Sequence, residues 1–323
     1  MPSPYSKPFL DIAGQIALLQ TRGMTISDIA LATAYLSRIG YYRLSGYWYP
    51  FRHSTMVADA RGVPRRKVLD TFQAGTEFKH AVDLYVFDKK LRLLVLDAIE
   101  RIEVCLRVEI AILLGAKDRL AHHNPAYLSG RFITPRPGRP LSDHSEWLAR
   151  LTHLESRSKA EFVAHFSQKY SGPIPIWMSI ELWDFGLLSK FYAGMKNADQ
   201  IAISSRYSVS NPQVLVSWLR SINYIRNVCA HHSRLWNLSI VDQPQLPATG
   251  IPIELAHVRA DQVAKIRLYG VLAIVQFMLS RINPTSSWRV RLASLVNEFP
   301  GPAPLSMANA GFPTSWSSEA LWR

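Results

Sequence analysis

Apolar residues recur along most of the chain at the three- and four-residue spacing of an amphipathic helix, and no alternating strand pattern persists. The spacing predicts helices over residues 27–39, 77–114, 143–170, 177–192, 259–282 and 286–299, and a further helix that begins at Pro212. We therefore predict an all-α fold, a helical bundle with additional helices and loops.

Changes in this pattern divide the chain into three parts. Residues 1–75 form a helical segment with an aromatic and arginine-rich stretch and a basic loop, residues 76–300 form the helical core, and residues 301–323 form an irregular tail. The longest apolar run, residues 268–279, is too short to cross a bilayer and predicts a buried core helix. The first residues lack the apolar core of a signal peptide, so we expect a cytoplasmic protein without membrane contact.

The stretch over residues 38–53, RIGYYRLSGYWYPFRH, mixes six aromatic rings with three arginines. Such a mixture can provide a stacking platform for nucleic-acid bases. Tyrosine and tryptophan also commonly bury their rings in a core while the polar tip keeps a partner. We interpret most of these rings as core residues.

The charge balance is basic, with 37 Lys and Arg against 24 Asp and Glu, a net charge of +13. Arginine, which fits phosphate oxygens, dominates, so nucleic acid is a candidate partner, although a basic protein without a polyanionic partner fits equally well. Two basic segments predict loops, one at residues 59–68 with Arg65 and Arg66, and one at residues 130–140 with Arg136 and Arg139. These arginines are candidates for contacts with RNA phosphates, although loop arginines are commonly only solvated. The two cysteines form no CxxC pair, which argues against a disulfide framework and a cysteine-based zinc site.

The helix that follows Asn211 and Pro212 has two chemically different sides. One side is apolar and predicts contact with the core: Leu215, Trp218, Leu219, Ile222, Ile225, Cys229 and Trp236. The other is polar and carries four residues: Arg220, Asn223, Asn227 and His231. Arg226 falls on the flank, so its stem can be partly buried while its guanidinium reaches a cleft.

These polar residues suit cleavage of RNA. A histidine can transfer the proton in the attack of a 2′-hydroxyl on phosphate, and a guanidinium can hold the phosphate oxygens. We predict catalytic roles for Arg226 and His231, with Asn227 in support, and RNA contacts for Arg220 and Asn223. No metal-binding spacing lies nearby, so we expect no metal and no cofactor. A polar solvent-facing side is nevertheless common on helices.

The string RNVCAHHSRLWN, residues 226–237, resembles the Arg-x4-His signature of HEPN ribonucleases in the form typical of the Abi-like, or abortive infection, family. Four further segments resemble that family in order, beginning at residues 7, 35, 87 and 177, and the ending GFPTSW from residue 311 is similar as well. The resemblance implies an HEPN-type helical fold. It also implies that Arg226 and His231 are catalytic and that Asn227 supports them.

The resemblance implies a toxin-like endoribonuclease of prokaryotic antiphage defence that leaves a 2′,3′-cyclic phosphate and a 5′-hydroxyl. A chain with one motif would act as a homodimer, with RNA as substrate and a noncoding RNA as a further regulatory partner. Glu181 matches a family position and could orient an arginine, or it could be a surface charge. Two alternatives remain: a non-catalytic protein that holds a structured RNA, and a helical interaction protein, against which the intact Arg226, Asn227 and His231 argue.

Overall fold

The computed structural model describes residues 4, 6, 8–59, 61–247, 249, 251–302 and 305–323. Over these residues 15 α-helices and one two-stranded sheet are present, which confirms the predicted all-α fold class. Residues 1–3, 5, 7, 60, 248, 250, 303 and 304 lie outside the described residues, and with them small parts of the predicted first segment, of the basic segment at residues 59–68, of the core and of the tail.

The helices, in chain order, are α1 (Ile12–Thr21), α2 (Ile29–Ile39), α3 (Tyr41–Trp48), α4 (Phe78–Gly115), α5 (Gly130–Ile133), α6 (Asp143–Arg157), α7 (Glu161–Lys169), α8 (Ile176–Ser179), α9 (Phe185–Gly194), α10 (Asn197–Arg206), α11 (Pro212–Ala230), α12 (Ala256–Ala260), α13 (Gln262–Ile266), α14 (Leu268–Ile282) and α15 (Trp288–Asn297). The strands are β1 (Arg52–Ala58) and β2 (Pro64–Phe72).

The basic segment at residues 59–68 was wrongly predicted to be a loop. Most of it belongs to an antiparallel hairpin in which β1 pairs with β2, so that Val57 lies opposite Arg65 and Met56 opposite Arg66. Asp59 closes the turn, because its carboxylate accepts from the backbone N–H groups of Arg61 and Val63. Almost every position of both strands is exposed, so neither face produces the apolar alternation by which strands are recognised in a sequence.

The chain divides into two compact units, and the division falls within α4 and α15. Unit 1 comprises Met1–Leu91 and Ser294–Met307. Its core buries Tyr47, Trp48 and Phe51, whereas Tyr42 and Tyr49 are exposed, so the prediction that most of these rings are core residues holds for three of the six. The Tyr47 hydroxyl donates to the buried Asp88 carboxylate at 2.7 Å, which satisfies both polar groups inside the apolar core.

Unit 2 comprises Arg92–Ala293 and Ala308–Arg323. Its centre is α14, in which every residue from Leu268 to Leu279 is buried, as the long apolar run predicted. The segment at residues 130–140, predicted to be a loop, starts with the helical turn α5 and is otherwise irregular apart from turns. Among the described residues no helix combines the length and the apolar character that crossing a membrane requires.

The last residues of the chain, Ala308–Arg323, belong to unit 2 and contribute to its core. Residues Trp316, Leu321 and Trp322 are buried, and the Trp322 indole N–H donates to the Tyr269 hydroxyl of α14 at 3.0 Å. Two short 3₁₀ turns carry these side chains: Trp316–Ser318 and Ala320–Trp322. The domain limits at residues 75 and 300 stay a prediction.

The buried His122 predicts an acid-sensitive unit 2. Neither of its ring nitrogens has a hydrogen-bond partner in the described part of the chain. Burial, followed by the charges of His123 and His144, lowers the pKa of His122 from 6.5 to about 3. The unfolded chain therefore takes up this proton first as the pH falls below 6.5, and the folded state loses stability progressively down to about pH 3.

We expect this one group to lower the free energy of unfolding by about 2 kcal/mol between pH 7 and pH 5. His122→Phe should remove most of that decrease, whereas His165→Phe, on the exposed face of α7, should keep it. Urea unfolding followed by circular dichroism at both pH values measures the difference. An equal pH dependence of the free energy of unfolding in wild type and His122→Phe would contradict the assignment of this acid sensitivity to His122.

Candidate active site

The helix α11 is fixed at its first turn and along its apolar side. The Asn211 side chain accepts from the backbone N–H of Gln213 at 2.9 Å, and Pro212 occupies the first helical position, as the sequence predicted. Six residues of the predicted apolar side lie on α11 and are buried: Leu215, Trp218, Leu219, Ile222, Ile225 and Cys229. The seventh, Trp236, is buried as well, but α11 ends at Ala230, so its predicted place on this helix was wrong. This burial sets the rotation of α11 and so decides where its polar side points.

The helix ends one residue before His231. The N–H of His231 donates to the Asn227 carbonyl at 2.9 Å, and those of His232 and Ser233 donate to the carbonyls of Cys229 and Val228 at 3.0 and 2.9 Å. This is a Schellman ending, whose turning residue is usually glycine. Here it is His232, which has a φ of 56°.

A buried arginine holds this ending from the side of α4. Arg92 is 4% exposed, and its guanidinium donates to the Ser233 carbonyl at 3.3 Å. A positive charge at this end also interacts favourably with the dipole of α11. The turn that presents His231 is thus anchored in the core, while His231 itself is exposed.

The structure brings Arg226 and Asn227 together. Both are half-buried, and the Arg226 guanidinium donates to the Asn227 side-chain oxygen at 3.4 Å, a long hydrogen bond. His231 is joined to Asn227 through the backbone, and no side-chain hydrogen bond links it to Arg226 over the residues described. His231 is thus exposed and Arg226 is half-buried, and the backbone of Asn227 connects the two positions.

An acidic residue that sequence reasoning missed lies close to Arg226. Glu103 on α4 is mostly buried, and it accepts from the Arg107 guanidinium at 2.5 Å. Burial raises the pKa of the Glu103 carboxyl, while the positive charges of Arg107 and Arg226 oppose that rise. The Glu103–Arg107 spacing of four residues was visible in the sequence but is typical of any surface helix.

Arg107 connects Glu103 to the segment between α8 and α9. Its guanidinium donates to the Trp183 carbonyl at 2.6 Å and lies 3.6 Å from the Glu181 carboxylate. Glu181 is 55% exposed, and its ion pair is with Arg107 rather than with Arg226. If Glu181 orients an arginine of the motif, it acts through Arg107 and Glu103.

Residues 34–237 match the model of a family described as Abi-like proteins. The match covers more than half of the chain and includes Arg226, Asn227 and His231. The chain belongs to the Abi-like family. Membership of this family implies a part in abortive-infection defence. No curated protein and no solved structure matched the chain.

The RNA contacts predicted for this Abi-like protein fall into two groups. Arg65 and Arg66 lie on β2 in unit 1, where Arg65 pairs with Asp59 at 2.8 Å and Arg66 donates to the Ser54 hydroxyl at 3.0 Å. In unit 2, three of the predicted arginines line one cavity: Arg136, Arg139 and Arg220. Within the described ranges no group of three or more His, Cys, Asp or Glu side chains could hold a metal ion.

Asn223 lies one turn before Asn227 on α11 and faces the start of α9. A Cβ added at Gly186 would be 3.7 Å from the Asn223 side-chain oxygen and 3.1 Å from an Asp184 carboxylate oxygen. The Asp184 side chain caps α9 by accepting from the N–H of Leu187 at 2.8 Å. The start of α9 is therefore in ordinary van der Waals range of the polar side of α11, and the tighter contact of a Cβ at position 186 would be with the Asp184 cap of its own helix.

The positive φ of His232 gives a test of the ending that presents His231. A left-handed backbone costs a residue with a Cβ about 1 kcal/mol, and costs glycine much less. We expect the free energy of unfolding of His232→Gly to be about 1 kcal/mol higher than that of His232→Ala. Both variants lose the same imidazole, but only the alanine variant keeps the backbone strain. Urea unfolding measures this difference, and equal stability of the two variants would argue against the Schellman ending.

Proposed function

We propose that this protein is a metal-independent HEPN-type endoribonuclease that acts as a toxin-like effector of abortive infection. The observation that carries the proposal is the arrangement at the end of α11. An exposed His231 follows a half-buried Arg226, whose guanidinium donates to the Asn227 side-chain oxygen and interacts electrostatically with the mostly buried carboxylate of Glu103. These groups are the ones that transfer of a phosphoryl group within RNA requires.

In the proposed reaction the 2′-hydroxyl of one nucleotide attacks the adjacent phosphorus. The new 2′-O–P bond forms, the P–O bond to the 5′-oxygen of the next nucleotide breaks, and the products are a 2′,3′-cyclic phosphate and a 5′-hydroxyl. One proton leaves the 2′-oxygen and one is delivered to the 5′-oxygen, both within the reach of imidazole chemistry. Arg226 stabilises the charge that builds on the phosphate oxygens.

Asn227 and Glu103 act on Arg226 as positioning residues. Asn227 accepts a hydrogen bond from the guanidinium, and the charge of Glu103 attracts it. A buried negative charge fixes the guanidinium before the substrate arrives, which lowers the cost of ordering a long side chain at the moment of reaction.

We further propose that the active form is a homodimer, because one chain offers a single motif histidine while the reaction needs both a proton acceptor and a proton donor. The surface of α4 supports this proposal. Val104, Val108 and Ile112 are 48, 48 and 61% exposed and follow one another at four-residue spacing, which forms one apolar stripe. The same helix carries Glu103, so a second copy packed on this stripe would lie near Arg226.

Cleavage should proceed without divalent metal. We expect the purified protein to cut a mixed RNA pool in EDTA and to leave cyclic-phosphate ends. His231→Ala should lower the rate by about 10²–10⁴-fold, because the proton-transfer group is lost, while RNA binding persists. His153→Ala, an exposed histidine on α6, is the matched control.

Mapping of the cut ends and a binding assay provide the two measurements. Loss of activity in EDTA that magnesium restores would contradict the mechanism. RNA binding without any cleavage by the wild-type protein would favour the alternative of a non-catalytic RNA-binding protein.

A composite site between two copies predicts that mixtures of inactive variants do not behave as the average of their parents. Chains with Arg226→Ala and chains with His231→Ala should form mixed dimers whose specific activity differs from the mean of the two homodimers. Light scattering measures the molar mass in solution. Val108→Asp should shift this mass towards the monomer, because it places a charge on the apolar stripe. A monomer that cuts RNA at full specific activity would overturn the dimer proposal.

A further inference from the structure

A cavity of about 560 Å³ lies in unit 2 between the loop that follows α5, the end of α9 and the first half of α11. Its volume falls within the usual range of small-ligand sites. It does not include Arg226, Asn227 or His231 among its lining residues, so it is separate from the candidate active site.

The cavity has an excess of positive charge. Five cationic side chains line it: Arg131, Arg136, Arg139, Lys190 and Arg220. Two carboxylates, Asp143 and Glu146, line it as well, which leaves a net charge of +3. A concave surface with this charge attracts an anion of ligand size.

Two of the five cations are available to a ligand. Asp143 pairs with Arg136 and lies 3.6 Å from Arg139, and Arg220 lies 3.4 Å from Asp242. Arg131 and Lys190 are exposed and have no carboxylate partner in the portion of the chain that is described. A single phosphate held between these two side chains would gain charge-assisted hydrogen bonds without breaking an existing ion pair.

The rest of the lining suits a nucleoside. The ring of Phe132 provides an apolar wall, and Gly194 allows that ring to approach, since a Cβ added there would lie 2.3 Å from it. The side-chain oxygen of Gln213 and the whole side-chain amide of Gln245 make no hydrogen bond within the described structure. An apolar wall with amide donors and acceptors beside a phosphate-binding pair is the chemistry that holds a base and its ribose phosphate.

The helices place this cavity in line with the motif. Gly186 near the start of α9 faces Asn223, whereas Lys190 and Gly194 line the cavity with Arg220 and Gln213, so α9 and α11 run antiparallel between the two places. Arg220 and Asn227 are seven residues apart and project from nearly the same side of α11. Seven residues of helix from Arg220 to Asn227 span about 10 Å, or roughly three nucleotides of a stacked strand.

We propose that this cavity binds one nucleotide of the RNA strand that is cut at Arg226 and His231, with its phosphate on Arg131 and Lys190. The proposal rests on the proposed ribonuclease function. It specifies the substrate further: the cavity would contact a nucleotide about two to three positions from the cleaved bond.

The test uses full-length protein with His231→Ala, so that RNA is bound and not cut, and a fluorescently labelled RNA of ten nucleotides. Adding Arg131→Ala and Lys190→Ala should weaken binding about tenfold or more and reduce the slope of log affinity against log salt by about 0.7, the value for one phosphate of a single strand. The control, Arg157→Ala with Lys169→Ala, removes the same charge from exposed positions outside the cavity.

A second variant tests the cavity without changing charge. Val216→Trp places a large ring among the lining residues and should also weaken binding of the ten-nucleotide RNA. Val290→Trp, at an exposed position on α15, should leave this binding unchanged. Circular dichroism and urea unfolding of each variant check that the fold is intact. In the protein with His231 restored, the cavity variants should lower kcat/KM for the ten-nucleotide RNA, called here the long RNA, and leave cleavage of a dinucleotide unchanged.

Equal binding of the long RNA by the cavity variants and their controls would overturn the proposal, as would no binding of this RNA by any of the proteins. A mixture of the four nucleoside monophosphates shows whether the cavity binds a nucleotide of an RNA strand or a free nucleotide. Competition between this mixture and the long RNA supports a strand subsite, while nucleotide binding without competition overturns it. If the cavity variants weaken binding but wild type cuts nothing, the ribonuclease function fails and the RNA subsite remains.

Discussion

The burial of one side of α11 is the constraint on which the candidate site depends. Trp218, Leu219, Ile222 and Ile225 are all fully buried, and each contributes about 1.5–3 kcal/mol by removing apolar surface from water. A rotation of the helix would expose these side chains, so the opposite side is held in one orientation.

Charge is arranged around this helix in two different ways. Near Arg226 the charges nearly balance: Glu103 and Glu181 face Arg107 and Arg226, and Asp184 pairs with Arg150. Such a balanced cluster fixes geometry, because each buried charge has a partner. Around the cavity at the other end of α11 the cations are in excess, which suits attraction of a polyanion. Helix α11 thus connects the candidate active site, where ion pairs fix the geometry, to the cavity, where excess positive charge attracts an anion.

The fixed geometry extends to the end of the helix. His232 carries a left-handed backbone that glycine adopts more easily, and Arg92 holds the following carbonyl from the core. Strain of this kind persists only where the surroundings determine the conformation. The result is that His231 stays exposed directly after the last helical turn, beside Asn227, and does not continue along the helix axis.

The sequence by itself determined the helical class, the start of α11, its capping by Asn211 and Pro212, and the separation of its apolar and polar sides, because these depend on periodicity and on contacts within a few residues. Only the tertiary structure decided that Glu103 of α4 lies near Arg226 and that Arg131 and Lys190 share a cavity with Arg220. Those pairs are distant in sequence, and their meeting depends on how helices pack. The hairpin at β1 and β2 was missed for a related reason: its strands are held by backbone hydrogen bonds and bury neither face, so they leave no alternation in the pattern of side chains.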